Sequence, residues 1–399
     1  VYVTGTVSSY PEVDELKGDE SVGYIFENVT NPVVIANGVQ ITDATAKKQV
    51  GVLAQGTGAG MTLNGGISVV GDNNTGVYSS TGQTVTNNGP LTLGASAGNS
   101  SIGIYSKGGA VINNGSSTIG DNSLGIYGEE TSVTTNDMTI GDKGVGVYLN
   151  NTALGQGDVT VNGNVSVGGN EAIGIQASNA KTYLYGDLSV GAGDSKGIFS
   201  GNDGDVETTG DITVGSNSLG IYKNGNAEVK TTVGKTITVA DNGYGIFAKG
   251  GAKVTNNANV TVGEDSVGIY VDGNNLTSIA DVTVADKGVG LLVKNGGTLT
   301  STGLLTVGSN NAVGLYADNS NIIQNGALNI GANDGIGIYS KGLGNISTVG
   351  NITVGNDAIG VYKTGKGLVN ILSTMNIGDK GYGAYYVGTS KTDSTLNIT

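Results

Sequence analysis

Carboxylates that recur at equivalent places along the chain are the first residues whose types and spacing could do chemistry. Asp241, Glu264 and Asp286 lie at matching positions in three successive repeats, and Asp121 and Asp142 do so in two. If the repeats stack, such carboxylates come to lie about 5 Å apart. Oxygen ligands at that spacing can bind a hard cation such as Ca²⁺.

Two features of these columns argue against a cation site. Lys143, Lys287 and Lys380 each follow an Asp directly and partly neutralise the column. The spacing also differs from the Gly-Gly-x-Gly-x-Asp repeat that binds calcium in other solenoids. We therefore expect solvated turns at these places and predict no metal site and no cofactor.

Paired carboxylates could also hydrolyse glycosides, a reaction that needs two of them about 5 to 9.5 Å apart. The alternative function is accordingly a β-helical polysaccharide depolymerase or a tailspike-like fibre. Lyase chemistry of the pectate type is expected to use a basic residue, usually Arg, and the chain has no Arg, His, Cys or Trp. The repeat length varies too little to supply the long loops of a catalytic cleft. We predict that the chain is not an enzyme and has no catalytic residues.

A column of aromatic residues is the most conspicuous candidate for binding. It comprises Tyr78, Tyr105, Tyr127, Tyr148, Phe199, Tyr222, Phe247, Tyr270, Tyr316, Tyr339, Tyr362 and Tyr385, with Gln176 and Leu292 as interruptions. Rings that repeat at sheet spacing can stack on one another, which predicts a structural ladder. An outward stripe of Tyr could instead hold sugar rings or a protein partner. For that alternative the candidate ligand-binding residues are Tyr270, Tyr316, Tyr339, Tyr362 and Tyr385.

Charge and hydropathy limit the partners further. The 399 residues carry a formal net charge of -14, and the 19 basic residues form no basic run, which disfavours nucleic acid and anionic lipid. No apolar run reaches the roughly 18 residues that cross a bilayer, so we expect no membrane insertion by this segment. The absence of Cys is compatible with an oxidising exterior.

The strands that position these residues are predicted from a sequence repeat. An apolar-Gly-apolar-aromatic motif recurs with sixteen glycines, from Gly23 to Gly383, that are 21 to 28 residues apart with a mean period of 24. A second motif, such as Leu305-Thr306-Val307-Gly308, precedes it. Both alternate with period two and are rich in β-branched residues, as strands are. With a looser third strand, each repeat predicts one three-sided coil of a parallel β-helix.

The motif also predicts which side chains face the interior. Ile352 and Val354 share one face of the first strand, and Ile359 and Val361 share one face of the second, so we expect all four to point inward. Gly360 and Tyr362 would then point outward. The prediction is an all-β solenoid of about 16 coils. Its regular repeats form one continuous solenoid over residues 51–399, and irregular N-terminal coils or a decorated cap occupy residues 1–50.

The run from Asn351 to Tyr362, Asn-Ile-Thr-Val-Gly-Asn-Asp-Ala-Ile-Gly-Val-Tyr, resembles the passenger repeats of the large fusobacterial type V autotransporter adhesins. The resemblance covers roughly residues 50 to 399 and consists of many copies of a short motif. It implies a right-handed β-helix, anchoring of the parent chain by a C-terminal β-barrel, and adhesion to host cells or other bacteria. No receptor-binding residue is carried over, because the repeat is shared scaffold.

These observations together predict a non-enzymatic passenger or stalk segment of an adhesin at the bacterial cell surface. Its partner is expected to be a host cell-surface protein or glycan, or a partner bacterium. A purely structural spacer is the second alternative. Since the chain opens on Val1 without an initiator Met, we expect the signal sequence and the anchor to lie outside these residues.

Overall fold

The computed structural model describes residues 1–6, 9–80, 82–98, 100–388 and 394–399. All regular elements in this part of the chain are β-strands, and they pair in parallel. The chain forms two compact units, Val1–Asp205 and Val206–Thr399. Each unit is a three-sided β-solenoid in which every full turn contributes one strand to each of three sheets, here called A, C and B in chain order. The predicted all-β parallel solenoid is confirmed.

The first unit contains nine sheet A strands among the described residues. They are Tyr2–Gly5, Val22–Val29, Val50–Gln55, Thr75–Ser79, Ile102–Lys107, Leu124–Glu129, Val145–Asn150, Ile173–Ser178 and Lys196–Gly201. The sheet C strands are Val33–Ile35, Met61–Leu63, Thr84–Asn87, Ala110–Asn113, Ser132–Thr135, Val159–Val161 and Thr182–Leu184. The sheet B strands are Val39–Ile41, Ile67–Val69, Leu91–Leu93, Ser117–Ile119, Met138–Ile140, Val165–Val167 and Leu188–Val190.

The second unit contains eight sheet A strands within its described ranges. They are Leu219–Asn224, Tyr244–Lys249, Val267–Asp272, Val289–Lys294, Val313–Asp318, Ile336–Gly342, Ile359–Gly365 and Tyr382–Val387. The sheet C strands are Val206–Thr208, Glu228–Thr231, Lys253–Asn256, Leu276–Ser278, Thr298–Ser301, Asn321–Gln324, Ile346–Thr348, Gly367–Ile371 and Ser394–Ile398. The sheet B strands are Ile212–Val214, Thr236–Val239, Asn259–Val262, Val282–Val284, Leu305–Val307, Leu328–Ile330, Ile352–Val354 and Met375–Ile377.

The core of each unit is built from inward-facing apolar residues that stack in register from turn to turn. In sheet B, Ile352 and Val354 are 0% and 2% exposed, whereas Thr353 between them is exposed. This alternation confirms the inward orientation predicted for both residues. Burying one such β-branched side chain contributes about 1.5–3 kcal/mol, so stacked turns stabilise one another even though a single turn could not bury its own face.

The inward pattern of sheet A differs from the prediction. Gly360 and Val361 are both buried, and Ile359 is partly exposed, so the expectation that Ile359 points inward and Gly360 outward is wrong. A Cβ on Gly360 would lie 2.5 Å from the carbonyl oxygen of Gly383 and 3.1 Å from Cγ2 of Val354. The strand therefore presents two consecutive residues to the interior as it leaves the corner. Only glycine leaves room there for the sheet B side chains.

The irregular part of the first 50 residues is short. Val22–Val29, Val33–Ile35 and Val39–Ile41 already form one complete three-strand turn. The segment before this turn lies against it: the Leu16 N–H donates to the Gln40 carbonyl oxygen at 3.1 Å, and the Ala36 N–H donates to Glu12 Oε1 at 3.2 Å. Residues 9–21 thus supply partners to backbone groups at the edge of that turn.

Candidate functional site: the aromatic row of sheet A

In each unit the predicted aromatic column forms a register row on the outward face of sheet A. In the first unit the strand pairing aligns Tyr78 with Tyr105, Tyr105 with Tyr127, and Tyr127 with Tyr148. Their ring centroids are 4.5, 5.2 and 5.0 Å apart, the first pair stacked and the other two edge-to-face. Gln176 follows Tyr148 in the same row. Stacked and edge-to-face pairs are the favourable arrangements of aromatic rings, so this row stabilises the stack.

The second unit carries two shorter ladders in its part of the row. Tyr222, Phe247 and Tyr270 form the first, with centroid distances of 5.6 and 4.5 Å and nearly parallel rings. A second ladder runs through Tyr316, Tyr339, Tyr362 and Tyr385, with distances of 5.0, 5.0 and 5.4 Å. Of the five candidate ligand-binding residues, the structure thus joins four in one ladder and places Tyr270 in the other.

The rings are neither fully exposed nor fully buried. The side chains inside the sheet, such as Val361, are buried, whereas Tyr362 is partly exposed on the opposite face. Tyr385 is 46% exposed. Burial is the main reason why the pKa values of Tyr270 and Tyr316 are raised, with the nearby carboxylates of Asp272 and Asp318 adding to it. The Tyr residues of these ladders are therefore partly accessible to a partner while their rings contact neighbouring rings.

A second row of charged residues runs beside the rings and was not recognised from the sequence. It lies two residues after the aromatic position and alternates in sign through Lys249, Asp272, Lys294, Asp318 and Lys341. The register pairs Asp272 with Lys294, Lys294 with Asp318, and Asp318 with Lys341. The alternation could have been found by extending the four-residue motif by two positions.

Several of these charged groups touch the rings. Lys249 Nζ lies 5.4 Å from the ring centroid of Tyr222, and Lys294 Nζ lies 5.7 Å from that of Tyr270. Both distances fall within the range of a cation–π contact. The Tyr270 hydroxyl group lies 3.4 Å from a carboxylate oxygen of Asp272. The outward face of sheet A in the second unit thus combines aromatic surface with lysine ammonium groups, which donate hydrogen bonds, and aspartate carboxylates, which accept them.

The acidic columns predicted from the sequence form hydrogen bonds between successive turns. Asp121 Oδ1 accepts the Asp142 N–H at 2.9 Å, and Asp241 Oδ1 accepts the Glu264 N–H at 3.0 Å, in each case from the next turn. Asp286 Oδ1 likewise accepts the Ser309 N–H at 2.9 Å. These carboxylates satisfy corner backbone groups. Across the described ranges, no group of three or more His, Cys, Asp or Glu side chains is placed to hold a metal ion.

A shallow depression in the first unit is lined by carboxylates, as the cleft of a depolymerase would be. It is lined by Asp142, Lys143, Asn170, Glu171 and Asp194, among others. The Asp142 carboxylate already accepts a hydrogen bond from the Asn170 side-chain amide at 2.6 Å. The carboxylate there is thus engaged in joining one turn to the next.

Comparison with known proteins identifies no family for the chain. No family model, no curated protein and no solved structure matches it. Among the described residues, no helix is long and apolar enough to cross a membrane.

The arrangement favours reversible binding. Half-buried rings supply rigid apolar contact area at a low cost in side-chain entropy, because their neighbours already fix them. The alternating charges beside the rings supply hydrogen-bond donors and acceptors that can orient a ligand. The five predicted residues Tyr270, Tyr316, Tyr339, Tyr362 and Tyr385 remain the candidates for such contacts.

Proposed function

We propose that this chain is a non-enzymatic segment of a bacterial surface adhesin, a passenger or stalk that carries binding surface for attachment to host cells or to other bacteria. The observation that carries the proposal is the outward aromatic row of sheet A with its flanking row of alternating charges. A row of partly exposed rings in an otherwise polar surface is typical of a binding face.

Three further properties support the same proposal. The net charge of -14 suits solubility outside the cell, and the absence of Cys avoids unwanted thiol chemistry there. Because the turns repeat, the binding face presents many equivalent outward positions, one in each turn. The resemblance of residues 50 to 399 to adhesin passenger repeats points the same way.

The experiment is binding of the purified chain to cultured epithelial cells, to partner bacteria and to a glycan array. Saturable binding that is competed by unlabelled chain is the expected result. A parallel variant beginning at residue 51 asks whether the irregular segment contributes. Loss of binding in that variant, with the β-sheet content retained, would move the site from the aromatic row to the first turn.

Two outcomes would overturn the proposal. A folded chain that binds none of these surfaces favours the structural spacer, whose rings only stabilise the stack. Release of reducing sugar from pectin, alginate or a glycosaminoglycan favours the depolymerase. In that case the carboxylates of Asp142, Glu171 and Asp194 would be the first residues to replace.

A further inference from the structure

The aromatic row contains two pairs of tyrosines whose rings lie nearly face to face on neighbouring turns. Tyr78 and Tyr105 are register partners in the first unit, with ring centroids 4.5 Å apart and ring planes 13° from parallel. Tyr339 and Tyr362 are register partners in the second unit, with centroids 5.0 Å apart and planes 20° from parallel. All four side chains are partly exposed. Each pair therefore holds two phenols together where solvent reaches them.

Two phenols held in this way can be joined covalently. Oxidation of a tyrosine by one electron gives a phenoxyl radical, whose unpaired electron is shared by the oxygen and the ring carbons ortho to it. Two such radicals combine through a bond between their ortho carbons, and the product is dityrosine. Register partners lie on strands about 4.8 Å apart, and the broad χ2 torsion of Tyr lets either ring tilt until two ortho carbons meet.

We propose that two sites of dityrosine formation lie on this row, one joining Tyr78 to Tyr105 and the other joining Tyr339 to Tyr362. The oxidant is hydrogen peroxide, activated by a haem peroxidase. It takes one electron and one proton from each phenol and is reduced to two water molecules. As the C–C bond forms, each ortho hydrogen moves to its own phenoxyl oxygen and both rings become aromatic again. The pair loses two hydrogen atoms in all.

The first pair has a carboxylate beside it that can accept a proton. Burial is the main cause of the raised pKa of Tyr105, and the negative charge of Glu129 adds to it. Glu129 is also ion-paired with Lys107 at 3.3 Å, which holds its carboxylate in place. When Tyr105 is oxidised, its hydroxyl proton can therefore pass to Glu129 as well as to water.

The second unit contains a natural contrast to these pairs. Phe247 lies between Tyr222 and Tyr270, with centroid distances of 5.6 and 4.5 Å and planes 5° and 9° from parallel. Its ring stacks as a tyrosine ring does, but it has no hydroxyl group and forms no phenoxyl radical. Stacking and phenol chemistry can thus be varied separately by the change of one oxygen atom.

A dityrosine bond would have the effect that a disulfide has in other proteins. The chain has no Cys, so no disulfide can close its turns. A bond between Tyr78 and Tyr105 closes a loop of one turn and thereby restricts the unfolded chain. The cross-linked protein should unfold at a higher urea concentration than the untreated protein.

Treatment of the full 399-residue chain with a haem peroxidase and limiting hydrogen peroxide tests the inference. The monomer is then isolated and digested, and mass spectrometry identifies joined peptides that weigh two hydrogen atoms less than their sum. The expected result is one joined pair containing Tyr78 and Tyr105 and another containing Tyr339 and Tyr362, together with dityrosine fluorescence. Preorganised partners react within one molecule faster than partners on separate molecules, so these bonds should dominate over intermolecular ones.

Two substitutions that preserve the rings provide matched controls. Tyr78→Phe removes one phenol from the first pair, so the bond to Tyr105 should disappear while the bond between Tyr339 and Tyr362 remains. Phe247→Tyr supplies a phenol between two stacked tyrosines and should create a new bond to Tyr222 or Tyr270.

Other results would overturn the inference. Tyr2 is 61% exposed, more than any of the four paired tyrosines. Joined peptides that contain mainly Tyr2 would show that exposure, not stacking, directs the oxidation. A monomer without dityrosine, or a Phe247→Tyr variant with no additional bond, would equally contradict it.

Discussion

Lys363 is fully buried in the second unit, and its Nζ donates a hydrogen bond to the carbonyl oxygen of Gly342 at 2.7 Å. It also donates to the carbonyl oxygen of Thr364 at 3.3 Å. The residue lies on the inward row of sheet A, where the register pairs it with Ser340 of the preceding turn. Burial lowers the pKa of Lys363 from 10.5 to about 8, because the charged ammonium group loses its hydration there.

The first prediction concerns this lysine. Replacing Lys363 by Met, which has a similar length and no charge, is expected to raise the free energy of unfolding at neutral pH. Each unit of pKa shift corresponds to about 1.4 kcal/mol, and the two hydrogen bonds of the ammonium group offset part of the gain, so we expect about 2 kcal/mol. Urea unfolding at a series of pH values measures the difference.

The pH dependence has a definite sign. Since the pKa is lower in the folded protein than in the unfolded chain, the unfolded chain binds more protons between about pH 8 and 10.5. The stability of the natural chain should rise with pH across that window, and the advantage of Lys363→Met should shrink. An advantage that stays constant up to pH 10.5 would contradict the role assigned to the buried charge.

The second prediction tests the glycine column. A Cβ on Gly103 would lie 2.6 Å from the carbonyl oxygen of Gly125 and 2.7 Å from Cδ1 of Leu91, both in the interior of the first unit. Gly103→Ala should therefore lower the free energy of unfolding by about 2–4 kcal/mol. Gly98→Ala is the control, because a Cβ there would meet no atom within 4 Å. Comparable thermal stability of the two variants would show that the close approach is not what requires glycine.

The third prediction separates the two roles of the aromatic row. Replacing Tyr339 and Tyr362 by Ser removes three ring contacts and should lower the free energy of unfolding by about 2–4 kcal/mol. If the row is the binding face, adhesion falls as well. Tyr183→Ser, on the outward face of sheet C, is the control and should leave adhesion unchanged. Full adhesion by the double variant with only a lower melting temperature would leave the row a purely structural ladder.

The fourth prediction concerns the acidic corners. Asp286→Ala removes the acceptor of the Ser309 N–H and of the Asn310 side-chain amide, which lie 2.9 and 2.5 Å away. We expect a loss of about 1 kcal/mol, whereas Asp286→Asn keeps an oxygen at the same place and should cost less. Thermal melting of both variants, with and without chelator, measures this. A melting temperature of the natural chain that rises with Ca²⁺ and falls with chelator would instead indicate a cation site.

The architecture was predictable because the sequence repeats its local signals many times. Strands such as Leu305–Val307 and Ile352–Val354 have the predicted alternation, and the looser third strand is found at Ala110–Asn113 and Gly367–Ile371. The error at Gly360 has a physical cause. Period-two reasoning assumes strict alternation, and the chain breaks that alternation where it turns from a corner into sheet A.

The candidate site was predictable only in part. The spacing of the Tyr residues determines their register, so the row itself followed from the sequence. The position of Lys294 over Tyr270 did not, because a long side chain can point along a strand in several directions. Nor did the burial of Lys363, since a lysine in an inward register position contradicts the usual exposure of charged residues.

The in-register stacking of turns has a consequence for how such a gene can change. Val282, Leu305 and Leu328 occupy one row, and their local sequences are nearly interchangeable. Recombination between repeats that adds or removes one complete turn leaves every inward and outward row intact. Gain or loss of a single residue would instead exchange the faces of a strand. Selection can thus change the number of turns without requiring new packing interactions. Each added or removed turn changes the length of the stack by about 4.8 Å.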